Sequence, residues 1–262
     1  MNILDKLVQA AAARLERDKA EISEAELINR CAEIKLIEYE FEAALRSPGI
    51  SLICEIKRAS PSKGVLTDDF PYIDIALDYE AGGASAISVV TETDYFLGSD
   101  GCLKGVARAV KLPVLRKDFI TDAYQIYQAK AIGAKAILLI AAILQESRLK
   151  EFIALADEIG LSVLAEVHNE SELKTAALAG ARIIGVNNRN LKTFEVDLQN
   201  SIRLRKLASK DVIFVAESGI RSAEDIALLA ENGIDAALIG EILMKADDRK
   251  REVERLKYYN ER

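Results

Sequence analysis

Residues 122–140 read DAYQIYQAKAIGAKAILLI: a stretch with helical spacing, a Gly133-Ala134 step, and then a short apolar run. The spacing predicts a helix over 122–132 and a buried strand over 136–140, because a brief apolar run bounded by turn residues suits a strand covered on both faces. The same helix, glycine, small residue and strand return at Gly83-Ala84, Gly180-Ala181 and Gly233-Ile234, with the four steps 50, 47 and 53 residues apart. Glycine at such points reads as a left-handed helix terminator, and each interval holds two strand–helix units.

Outward from this stretch, strands are predicted over 51–57, 86–91, 113–117, 162–167, 183–187, 212–217 and 236–240. Helices are predicted over 72–81, 103–110, 146–159, 170–179, 198–208, 222–232 and 247–259. Strict alternation of eight strands with eight helices implies the α/β class and a closed (β/α)8 barrel, the TIM barrel. Upstream, Ile3, Leu4, Leu7, Val8, Ala11 and Leu15 recur on one helical face, so residues 1–45 read as a helical N-terminal extension. It packs on a barrel of residues 46–262, one domain overall, since no linker rich in Pro, Gly or Ser interrupts the alternation.

Composition narrows the function classes. Half of the 262 residues are apolar, enough for a sizeable core. The formal charge of −7 and the lack of a long basic run disfavour a nucleic-acid partner. The longest apolar stretch, 136–144, is too short for a bilayer, and residues 1–6 lack the basic-then-apolar order of a signal peptide, so no membrane partner and a cytoplasmic location are expected. Cys31, Cys54 and Cys102 form no CxxC pair, and a single histidine, His168, removes His-rich metal sites. No metal is therefore expected, and acid–base chemistry falls to Lys, Glu or Asp.

In a barrel of this kind the reacting groups sit at the carboxyl ends of the strands. Polar residues collect there: Glu55 and Lys57, Lys117 and Asp118, Glu166, Asn187 to Asn190, Glu217 to Gly219, and Gly240-Glu241. Period-two alternation turns Ile53, Glu55 and Lys57 to one face of the first strand and Cys54 and Ile56 to the other. By the same count Lys117, Glu166 and Asn187 point to the barrel axis, which gathers two lysines and two glutamates around one pocket. The loops Glu217-Ser218-Gly219 and Gly240-Glu241 place glycine after each of the last two strands, the position where barrels commonly hold a phosphate. Phe96, Phe119, Leu138, Ile140, Leu191 and Leu238 offer a flat apolar wall for an aromatic ring.

The run Glu55-Ile56-Lys57-Arg58-Ala59-Ser60-Pro61-Ser62-Lys63-Gly64 resembles the signature of the indole-3-glycerol phosphate synthase family. Leu115 to Phe119, Leu164 to His168, Gly185 to Leu191 and Ala216 to Ile220 follow in order, so the resemblance spans essentially the whole chain. It implies a small phosphorylated substrate, 1-(2-carboxyphenylamino)-1-deoxyribulose 5-phosphate, closed to the indole with loss of carbon dioxide and water, without cofactor or metal. Lys117 and Lys57 match the general acids, and Glu166 and Glu55 the catalytic glutamates. Asn187, Ser60 and Arg189 match positions touching polar groups of the substrate, with Arg189 the fork for its carboxylate. Ser218, Gly219 and Gly240 match the phosphate positions. Glu241 departs from relatives with Ser there, and a carboxylate beside a phosphate must turn away or repel it.

Two rivals stand beside this reading. A phosphoribosylanthranilate isomerase-like barrel shares the final loops but uses a cysteine and an aspartate, and Cys54 has the wrong strand parity. A non-catalytic ligand-binding barrel would have little reason to keep buried charges. A monomer or weak homo-oligomer is expected, and His168 is read as structural.

Overall fold

Strands covered by helices outside and by packed side chains inside are apolar on both faces, and each predicted strand run is buried along most of its length. The computed structural model describes residues 3–36, 39–190 and 193–258. In chain order its elements are α1 (Ile3–Glu21), α2 (Glu24–Ala32), α3 (Glu40–Leu45), β1 (Ser51–Ile56), β2 (Ala59–Ser60), β3 (Gly64–Val65), α4 (Tyr72–Ala81), β4 (Ala86–Val90), α5 (Asp100–Ala109), β5 (Val114–Lys117) and α6 (Ala123–Ala131). There follow β6 (Ala136–Ile140), α7 (Glu146–Glu158), β7 (Ser162–Val167), α8 (Glu170–Leu178), β8 (Ile183–Asn187), α9 (Gln199–Arg205), β9 (Ile213–Glu217), α10 (Ala223–Glu231), β10 (Ala236–Ile239), α11 (Glu241–Met244) and α12 (Arg249–Lys257).

Strands β1 and β4 to β10 run parallel and close into a barrel, with β10 returning to pair with β1. The expected (β/α)8 barrel is therefore the fold, and the four glycines of the repeat take the left-handed conformation at φ of +72° to +103°. Three differences have local causes. Helix α5 starts at Asp100 because Ser99 caps it by accepting from the Cys102 amide, where Gly101 and Gly105 had diluted the apolar pattern. Helix α9 ends at Arg205 because Leu207 and Ala208 turn back onto the Leu204 carbonyl. The β2–β3 hairpin and α11 are too short to leave a periodic signal. Residue 259, the end of the last predicted helix, lies outside the described residues.

Alternation divides the strand side chains as predicted. Ile53, Leu115, Leu138, Leu164, Val215 and Leu238 fill the barrel interior, while Cys54, Ile56, Ile137 and Ala165 pack toward the helices. The extension runs the length of this body. Phe41 and Leu45 of α3 join the interior cluster and close its amino end. Helix α2 packs on α6, and Leu15, Leu27 and Tyr124 form a small cluster there. Arg14 of α1 reaches Asp118 at 2.6 Å. Among the described residues no helix is long and apolar enough to cross a membrane.

Candidate active site

Strand register puts four polar side chains on one rim at the carboxyl end. Lys117 ends β5 opposite Val90, Glu166 lies opposite Ile140 and Gly185, and Asn187 ends β8 opposite Glu217. They line a cavity of about 420 Å³ together with Glu55 and Lys57 from the end of β1. Lys57 Nζ lies 2.5 Å from Glu55 Oε1. Lys117 Nζ lies between two carboxylates, 3.3 Å from Glu166 Oε2 and 3.4 Å from Glu217 Oε2.

Two lysines and three glutamates thus meet here, not the two and two expected. Glu217 is the residue the sequence reading left out of the site, although Ile213 and Val215 share its inward parity and both belong to the interior cluster. Its space is made by Gly185 on the neighbouring strand, where a Cβ would stand 2.2 Å from Glu217 Oε1. A side chain at position 185 would force the Glu217 carboxylate to shift.

The charges hold one another in unequal states. Burial pushes the Glu217 carboxyl up to about 7; the Lys117 ammonium opposes this, and Glu166 and Glu55 add to it. Glu166, equally buried, is displaced the other way, because the Lys117 and His168 charges and hydrogen bonds from Asn187 and Lys117 outweigh desolvation. Glu55 is likewise held below the usual carboxylate range against its burial, chiefly by Lys57 and then Lys117. For Lys117, burial favours the neutral amine, but Glu166, Glu217 and Glu55 together keep it firmly protonated. Carboxyls with opposed shifts flanking one ammonium supply both a proton acceptor and a proton reserve.

The same cavity also has an apolar lining. Phe96, Phe119, Leu138, Ile140 and Leu238 line the same cavity, and the Phe96 and Phe119 ring centroids are 6.5 Å apart. Leu191, assigned to this wall from sequence, lies outside the described residues. Ile3 and Leu7 of α1 and Phe194 belong to the lining too. No periodicity within the first helix could have announced its reach to the barrel mouth, since that depends on docking against residues about a hundred positions away.

Ser60, Arg189, Ser218, Gly219, Gly240 and Glu241 lie on the cavity as well. Ser218 and Gly219 take successive left-handed conformations, φ 66° and 86°, directly after β9, and a Cβ on Gly219 would sit 2.3 Å from Val196 Cγ1. Glu241 is paired on this rim. Its carboxylate faces cations, with Lys245 at 2.8 Å, Arg189 at 3.8 Å and Lys63 at 3.9 Å. Against partial burial, the Lys245 hydrogen bond and these charges keep it ionised.

Cys54 is fully buried among the helix-facing residues, where desolvation pushes its thiol far above the reactive range. It cannot serve the isomerase-like reading. His168 is paired through Nδ1 with Glu172 at 3.0 Å, as a structural histidine would be, but its Nε2 faces Glu166 Oε1 at 3.4 Å.

Known proteins place this site in context. Among solved structures the chain resembles 3-hexulose-6-phosphate synthase from Salmonella typhimurium, with a TM-score of 0.64 and 15% identity over 80% of this chain and 98% of that one. It also resembles thiamine phosphate pyrophosphorylase from Pyrococcus furiosus, with a TM-score of 0.62 and 17% identity over 81% and 96% of the two chains. At such identities the likeness shows the barrel alone. Sequence relatives are far nearer. The indole-3-glycerol phosphate synthase of Ruminiclostridium cellulolyticum is 53% identical over 97% of this chain and 98% of its own length. That of Lachnoclostridium phytofermentans is 48% identical over the same shares. The family model for indole-3-glycerol phosphate synthase matches residues 4–256, so it takes in α1 as well as the barrel, and the chain belongs to the indole-3-glycerol phosphate synthase family.

Proposed function

We propose that the chain converts 1-(2-carboxyphenylamino)-1-deoxyribulose 5-phosphate to indole-3-glycerol phosphate, carbon dioxide and water, a carboxy-lyase step of tryptophan biosynthesis. The observation that carries this reading is the Lys117 ammonium held between two buried carboxylates in one cavity that Phe96, Phe119, Leu138, Ile140 and Leu238 also line. Ring closure needs an acid at the ketone oxygen while the aromatic carbon attacks, and a flat apolar surface to hold that ring.

The roles follow from position. Lys117 gives its proton to the carbonyl oxygen as the carbon–carbon bond forms; an oxygen turning into an alkoxide is a far stronger base than an amine, so the paired ammonium still serves as acid. Loss of the carboxylate as carbon dioxide returns the electron pair to the ring. Lys57 protonates the departing hydroxyl and touches the phosphate. Glu166 stabilises the cationic intermediate and takes the proton from the methylene carbon beside nitrogen. Glu55, 2.5 Å from Lys57, orients it. Arg189, with Asn187 and Ser60, holds the carboxylate and hydroxyl groups of the substrate. Phe96, Phe119, Leu138, Ile140 and Leu238 hold the ring.

The phosphate is assigned to the backbone after β9 and β10, at Ser218, Gly219 and Gly240, with Glu241 kept off it by Lys245, Lys63 and Arg189. Residues 1–45 and 46–262 act as one unit in this reading, since α3 completes the barrel interior and α1 lines the cavity. A phosphorylated, carboxylated intermediate is retained inside a membrane by its charge, which supports a cytoplasmic location.

The test is to mix the purified protein with the carboxyphenylamino-deoxyribulose phosphate, without added metal or nucleotide, and follow indole fluorescence. Product that survives a chelator is the expected result. Binding of the substrate without turnover would overturn the reading in favour of a ligand-binding barrel.

A further inference from the structure

Glu166 and Glu217 make a near-symmetric pair. Both are almost fully buried, and both approach the Lys117 ammonium, at 3.3 and 3.4 Å. The symmetry is broken on the far side of Glu166. There His168 Nε2, buried and without a hydrogen-bond partner, lies 3.4 Å from Glu166 Oε1, the oxygen not used by Lys117. The other ring nitrogen is committed, since Glu172 Oε2 stands 3.0 Å from Nδ1 and also accepts the His168 amide at 2.8 Å.

A carboxylate offers only lone pairs, so Nδ1 must donate to Glu172. A neutral ring would then turn the Nε2 lone pair toward Glu166, whereas an imidazolium turns a positively charged N–H toward it. We propose that His168 is a positioning residue for Glu166, and that its imidazolium, held between Glu166 and Glu172, fixes the negative charge of the Lys117 pair on Glu166 rather than on Glu217. The opposed displacements of Glu166 and Glu217 agree with this. Burial disfavours the charged ring, but the Glu172 hydrogen bond and the charges of Glu166, Glu172 and Glu217 outweigh it. The remaining charges on the side cavity that His168 lines are Arg189, Glu195 and Asp197 after β8 and Arg203 and Lys206 at α9, of both signs.

The consequence for the reaction rests on the synthase reading, but the protonation claim is tested without it. His168 is the single histidine of the chain, so a tag-free protein labelled with ¹³C-histidine gives one imidazole signal. Expected are a titration midpoint above the ordinary histidine value of about 6.5, and a fall of about one pH unit or more in both Glu172→Gln and Glu166→Gln. A midpoint at the ordinary value, unmoved by either substitution, would overturn the proposal.

In the turnover assay, His168→Asn keeps a donor near Nδ1 and removes Nε2. It should lower kcat about tenfold with KM and thermal midpoint little changed, and His168→Gln, which restores a donor near Nε2, should recover part of the loss. The alkaline limb of the wild-type kcat profile should move to lower pH in Glu172→Gln. Wild-type kcat and pH profile in His168→Asn would sink the proposal while leaving the synthase reading intact. An inactive wild type sinks the synthase reading, and the imidazole titration still decides the protonation claim.

Discussion

Strand β5 carries two ionic centres on opposite faces, one residue apart, and they are built on different principles. Outward, every guanidinium nitrogen of the buried Arg116 is used: Nε on Thr91, Nη1 on the Gln125 carbonyl and on Gln128, Nη2 on Asp100 and Asp118. Asp118 is equally filled, accepting from Arg14, Thr91 and the Phe119 amide. Inward, Lys117 faces carboxylates at the long end of pairing distance, and both Glu217 oxygens are buried without a hydrogen bond. A saturated network has nothing left to offer a ligand and rigidifies its strand; an unsaturated one keeps free valence for a substrate. The outer centre thus holds β5 in place so that the inner one stays incomplete.

The sharpest way to break this contrast is Arg116→Met. It leaves the buried Asp118 and the half-buried Asp100 beside a lost partner and should cost about 3–5 kcal/mol, a fall of roughly 10 °C in thermal midpoint. A melt like that of the wild type would show that the outer network is ornamental. Lys117→Ala is the complementary change. Turnover should drop about a hundredfold or more, as loss of a general acid does, while the circular-dichroism spectrum stays that of the folded barrel; near-normal turnover would refute the assigned role.

Glu217→Gln separates the centres by pH. The folded-state carboxyl is raised from 4.5 to about 7, so the native state favours its neutral form, and the wild type loses this stability as pH rises through about 7. The ionised group then costs up to about 3 kcal/mol. Melts of Glu217→Gln should coincide with the wild type near pH 4.5 and lie several degrees higher at pH 8; equal midpoints at both pH values would remove the strained inner carboxylate. The smallest effect is expected for Arg14→Ala, about 1–2 kcal/mol by chemical denaturation, because Asp118 keeps Arg116. A larger loss would mean that α1 is a primary support of the outer centre.

Period-two and helical patterns are local, and what they encode was legible: the barrel, the parity that sends Cys54 out and Lys117 in, and the glycine terminators. The gathering of Glu55, Lys57, Lys117, Glu166 and Asn187 on one cavity follows from that parity. Glu217 was equally within reach, but its place beside Ser218-Gly219 invited reading that strand end as a phosphate loop alone. The contributions of Ile3, Leu7 and Arg14 were not legible, because they depend on α1 docking against distant residues. Nor was the Glu172–His168–Glu166 alignment, since helical spacing announces the first pair while only the turn from β7 to α8 brings in the second.

The extension that spans the barrel from end to end also has a history in time. Arg14 meets Asp118 across 104 residues, and Asp18 meets Gln128 across 110, while Ser51 pairs with Ala236 only at barrel closure. During synthesis the first helix therefore leaves the ribosome long before anything exists for its apolar face to rest on. These long loops must close before their contacts return any stability. Helix α1 precedes Asp118 by about a hundred residues, so the contacts it makes at the cavity mouth cannot form before the strand that carries Lys117 has been made.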